Sequence, residues 1–201
     1  MSVSFAVKAS SNEGGSFELP EAGTYGAVLV ALVDLGTHES NFTDADGTRK
    51  RQRKIHLVWE LTSEFDSKGE PFLVCQSYTW NPKSLNSKAA LRKVVEGYLG
   101  RTLSENEPVD YADFLGKPCS LGVSVGTTAS GKRFAEVASI SKPMRGLAIA
   151  PASHGPFAFR VDGLNSTKDP LDIPDWIPPT FGRKVEDEIR TSDEYGRLSP
   201  F

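Results

Sequence analysis

A chain of 201 residues, 38% hydrophobic and 24% charged, is long enough for one packed domain with extensions or for two very small ones. No apolar run approaches the ~18–20 residues of a membrane span, and the opening MSVSFAVKASSNEGG lacks the basic-then-apolar order of a signal peptide. The net charge of −3 is unevenly spread: residues 1–150 hold 17 basic and 17 acidic side chains, residues 151–201 hold 6 and 9. A strongly basic total, the simplest signature of a nucleic-acid binder, is absent, so any such field has to come from a local patch.

Residues 1–22 read as a flexible polar lead ending in LPEAG. Residues 24–35 (TYGAVLVALVDL) are apolar on both faces at period two, as in a strand covered on each side. Residues 36–53 read as a long loop. It ends in the densest charge of the chain, RKRQRK, with Arg49, Lys50, Arg51, Arg53 and Lys54. A second strand follows over 54–64, with Ile55, Leu57, Trp59 and Leu61 on one face and His56, Glu60 and Thr62 between them. After the turn DSKG, a third strand spans 71–80. The period then changes. Ala90, Leu91, Val94, Val95, Tyr98 and Leu99 fit a helix face, with Asn86 or Ser87 as cap and Gly100 as stop. Strands over 119–125 and 132–140 complete the order β-β-β-α-β-β, which is that of an OB-fold, a five-stranded, partly open barrel. This domain is assigned to residues 23–146.

From Pro143 the composition shifts to proline and small polar residues. Residues 147–201 read as a Pro-rich, acidic, partly disordered tail. Phe157 and Phe159 are candidates to pack back on the barrel, and 183–195 for a short helix.

No Gly-rich phosphate loop, GxSxG elbow or HExxH motif is present, and Asp44 and Asp46 lack the partner glutamate of a calcium loop. Cys75 and Cys119 lie in apolar runs and, with His38, His56 and His154, form no zinc spacing. The expectation is a non-enzymatic protein without a cofactor, in a reducing cytoplasmic setting. The coherent set is one for binding. Cations release counterions from phosphates, and aromatic rings stack on bases at about 1–3 kcal/mol per base. The candidates are Arg49, Lys50, Arg51, Arg53, Lys54 and His56, with Phe42, Tyr78 and Trp80, and Lys132, Arg133 and Phe134 on the last strand. Trp59 falls in register with the apolar face and is expected in the core.

Several segments together resemble a family of small phage and plasmid single-stranded DNA-binding proteins. They are LPEAGTYGAVLVALVDLGTHE, KIHLVWEL, SYTW, NSKAALRKVVEGYLGR, FLGKPCSLGV and GKRFAEVASIS, over about residues 18–146. The resemblance implies an OB-fold that coats single strands during replication or recombination in a bacterial host. In the tail, Asp172, Asp175 and Trp176 lie in an acidic-hydrophobic segment of the sort that follows the barrel in this group. The terminal Pro200-Phe201 matches the partner-docking end of many bacterial single-stranded DNA-binding proteins, although no acidic run directly precedes it. The resemblance thus implies replication or recombination proteins as partners. One barrel holds only ~4–16 nucleotides, which makes a homo-oligomer a plausible form. The alternative is a protein-interaction module, such as a host-defence inhibitor or assembly factor, setting the cationic loop against an acidic partner.

Overall fold

The computed structural model describes residues 18–43, 46–81, 85–146, 148–180 and 182–198. It is mainly β. The strands are β1 (Gly23–Thr43), β2 (Arg49–Phe65), β3 (Pro71–Thr79), β4 (Pro118–Thr127), β5 (Arg133–Ser141) and β6 (Phe157–Phe159). Helix α1 (Ala90–Leu99) lies between β3 and β4, and α2 (Val185–Arg190) and α3 (Asp193–Gly196) come last. The main path of the sheet is antiparallel, in the order β3-β2-β1-β4-β5, and β6 adds to β1 in parallel. The sheet is open. Where β3 and β5 approach, the Val137 N–H donates to the Gln76 side-chain oxygen at 3.2 Å.

The first two strands are much longer than their apolar patterns predict. Residues 36–43 and 49–53, expected as loop, are strand. β1 runs on to Thr43 and β2 starts at Arg49, with Thr37 opposite Arg53 and Glu39 opposite Arg51. This extension has no apolar face to betray it in the sequence. Cross-strand charge supports it instead, with Glu39 3.6 Å from Arg49 and 3.5 Å from Arg51. The cations therefore sit on a strand, in an arm of the β1–β2 hairpin.

One core lies on the inner face. Trp59 is buried there among Leu29, Leu57, Leu61, Leu91, Val95 and Leu121, and its indole N–H donates to the Tyr98 hydroxyl at 2.9 Å. Helix α1 closes one side. It has no side-chain N-cap; Asn86 makes a turn just before it, accepting from the Lys88 N–H at 2.9 Å. The left-handed Gly100 ends it, as expected. Gly97 lets it rest on β5, because a Cβ there would stand 2.3 Å from the Ile140 carbonyl oxygen.

The second core corrects the reading of the tail as partly disordered. Val28, Val30, Val33, Leu35 and Val58 on the outer face of β1 and β2 pack against Val161, Leu171, Ile177, Val185, Ile189 and Tyr195. Both faces of β1 are apolar because this C-terminal segment is the second cover. Phe157 and Phe159 pack back as β6, and the single helix expected over 183–195 is two short ones, α2 and α3, the second ending at Gly196. Among the described residues, no helix is long and apolar enough to cross a membrane.

Candidate nucleic-acid interface

The hairpin register distributes the five cations between two environments. At the arm, Arg49, Lys50 and Arg51 are exposed, and Phe42 across from them is 69% exposed. Arg51 donates through Nε and Nη2 to the two carboxylate oxygens of Asp193, so α3 holds it in a forked pair. Lys54 lies 4.0 Å from Glu188 of α2. The Arg51–Asp193 pair is at the surface, where such contacts are worth about 0–1 kcal/mol, whereas Lys54 and Glu188 are half-buried.

Arg53 is different. Only 13% of its side chain is exposed. It forks onto Asp34, which is buried on β1, and reaches Asp162 at 2.7 Å and Glu194 at 3.9 Å. The bond to Asp34 leads in raising its pKa well above the ordinary guanidinium value, against the cost of burial. Burial would raise the Glu194 carboxyl, but the Thr37 hydroxyl (2.7 Å) and N–H (2.6 Å) both donate to it and hold it low. Arg53 thus fastens the C-terminal segment to the sheet and is not a loose phosphate ligand.

His56, expected as a surface neighbour of the cations, is buried with 1% exposure. Its Nε2 lies 3.1 Å from the Pro178 carbonyl, which can only accept, so Nε2 carries the proton. Nδ1 then accepts from the Ser77 hydroxyl at 3.0 Å. Burial pushes its pKa down to about 4. Glu60 shares this polar face of β2 and is also buried. It accepts from the backbone N–H groups of Ser153 (2.6 Å) and His154 (2.9 Å) and pairs with the His154 ring at 2.7 Å. Both residues hold down the C-terminal segment, which is why an apparently solvated face is covered.

The aromatic candidates also divide. Tyr78 is buried in the inner core. Burial raises its phenol pKa, and it is no groove residue. Trp80 is half-buried just past β3, with the Arg53 guanidinium 4.9 Å from its ring centroid. Phe134 is 38% exposed and lies across β4 from Gly126, where a Cβ would come within 2.6 Å of its ring. The ring rests on bare backbone, with exposed Lys132 and Arg133 at the strand start. The register puts this group at the opposite end of β1 from Phe42 and the arm: β4 pairs with Gly23 at Val123 and continues past it.

In the C-terminal segment, Asp172 and Asp175 are exposed. Trp176 is half-buried with its ring centroid 4.6 Å from that of His154, so it anchors the segment as much as it displays a surface. Pro200 and Phe201 lie outside the described residues. Two further residues, Tyr111 and Arg160, stand beside Trp80. One is in the α1–β4 connection, the other just after β6. Among the described residues, no cluster of three or more His, Cys, Asp or Glu could hold a metal ion.

No protein-family model and no curated protein matches the sequence.

Proposed function

We propose that the chain is a non-enzymatic single-stranded DNA-binding protein of a phage or mobile element, built on an OB-like barrel and acting during replication or recombination. The observation that carries this reading is the hairpin arm, where exposed Arg49, Lys50 and Arg51 stand beside an exposed phenylalanine, Phe42. Phosphate capture needs the first and base stacking the second. The strand order with α1 between β3 and β4 supports the OB-like part, since an OB barrel would close between β3 and β5, the seam that the Gln76–Val137 bond spans.

OB-folds commonly bind on the β2–β3 face between the β1–β2 and β4–β5 loops. Here that face is filled by the C-terminal segment, so the strand would run over the arm and the β3 end of the sheet. The covered face also favours a second reading, a protein-interaction module that uses the cationic arm against an acidic partner.

Titration of fluorescent oligo(dT) at low and at high salt tests the proposal. The expected result is binding at low salt that weakens steeply as salt is raised. No binding at low salt would overturn it in favour of the interaction module.

A further inference from the structure

We infer that Trp80, Tyr111 and Arg160 form a stacking slot for one nucleobase at the foot of the hairpin arm. The inference rests on the single-strand reading above and gives it a specific base contact.

Trp80 follows β3 directly, and its backbone N–H donates to the Arg53 carbonyl at 2.8 Å, which fixes the indole beside β2. Tyr111 meets it edge-on, with centroids 6.5 Å apart and an interplanar angle of 88°. Two guanidinium groups lie against the same indole, Arg53 at 4.9 Å and Arg160 at 5.7 Å. They are not equivalent. Arg53 is held by Asp34 and Asp162 and forms a fixed wall. Arg160 is 63% exposed and has an ion pair with Asp162 at 2.9 Å, an acid it shares with Arg53.

A flat guanidinium on an indole makes the same kind of contact that a nucleobase makes with either group. Arg160 is therefore the movable side of the slot. A base entering there stacks on the indole, with the Arg160 guanidinium on its other face or turned toward the adjacent phosphate. A structural cap over the inner core would need only the ring and Arg53. The second guanidinium is exposed and held by an acid it shares with Arg53, so it is the group that a ligand can displace. Stacking of this kind accepts any base, so the occupant is a single-stranded nucleotide without sequence preference.

The test uses the full chain with labelled oligo(dT) and a base-free phosphodiester strand of equal length. Wild-type tryptophan fluorescence should be quenched by oligo(dT) but not by the base-free strand. The signal should vanish in W80F, because Trp59 is buried and Trp176 is half-buried in a tilted contact with His154, away from the slot. W80A should weaken oligo(dT) binding about tenfold, within the range for loss of one stacked base, and leave the base-free strand nearly unchanged. R160A should weaken oligo(dT) several-fold and melt like the wild type. Quenching that survives in W80F, or a W80A effect equal on both strands or absent from both, overturns the slot while leaving the single-strand reading intact. If W80A does not fold, quenching in W80F decides. If the wild type binds neither strand, the single-strand reading falls and the slot with it.

Discussion

Arg53 and Arg49 are four residues apart on one strand, yet their surroundings give them opposite duties. Arg53 neutralises Asp34, whose side chain is 1% exposed; removing the cation would leave that carboxylate buried and unpaired. Arg53→Ala should cost about 3 kcal/mol of stability, read as a lowered denaturation midpoint. Arg49→Ala should change stability by less than about 0.5 kcal/mol and act on DNA affinity alone. His56 makes a separate prediction. Its folded pKa of about 4 lies below the ordinary 6.5, so the unfolded chain binds the extra proton first as pH falls. Its contribution is intact above about pH 6.5 and is lost progressively toward pH 4, to the extent of about 3 kcal/mol. Chemical denaturation of wild type and His56→Gln across that window checks it: the wild type should lose stability more steeply with acid. None of these burials is legible locally. His56 and Glu60 alternate with apolar residues as a solvated face would, and the covering groups, Pro178, Ser153 and His154, are about 90 to 120 residues further along the chain.

At the scale of elements, what could be read from sequence was what had its own period. The half-buried stretches of β2 and β3, helix α1 and the β4–β5 pair all show alternation or a helical face. The outer half of the β1–β2 hairpin does not, because both its faces are polar and its register rests on pairs such as Glu39 with Arg51. Much of the C-terminal segment is illegible for the opposite reason: the buried Val161, Leu171 and Ile177 are single apolar positions at irregular spacing among prolines, whereas Val185 and Ile189, four apart, carry the helical signal over 183–195. The first three gain meaning only against the outer face of β1. Removing residues 147–201 should therefore expose Val28, Val30, Val33 and Val58, lower the melting temperature sharply and promote aggregation. A truncated chain that melts like the full one would contradict the second core. The acids of α2 and α3 have a milder role. Asp193 ties up Arg51 in an exposed pair, so Asp193→Asn should raise oligonucleotide affinity about two- to fivefold without changing stability.

For the whole molecule, a net charge of −3 and a basic arm are compatible because Arg49, Lys50 and Arg51 are concentrated at the exposed end of the hairpin, where Asp193 is the C-terminal acid that pairs with Arg51. The β-β-β-α-β-β order was recoverable from the succession of periods, whereas the covering of the outer face of β1 and β2 was not. In the proposed function, the arm is the phosphate-binding element. The most direct measurement is the slope of log affinity against log salt for oligo(dT), in the wild type and in the triple variant R49A/K50A/R51A. Each phosphate-bound cation on a single strand contributes about 0.7 to that slope, so the variant should bind more weakly with a slope shallower by about 2. An unchanged affinity and slope would contradict the account and move any DNA contact to the Lys132–Phe134 end of the sheet.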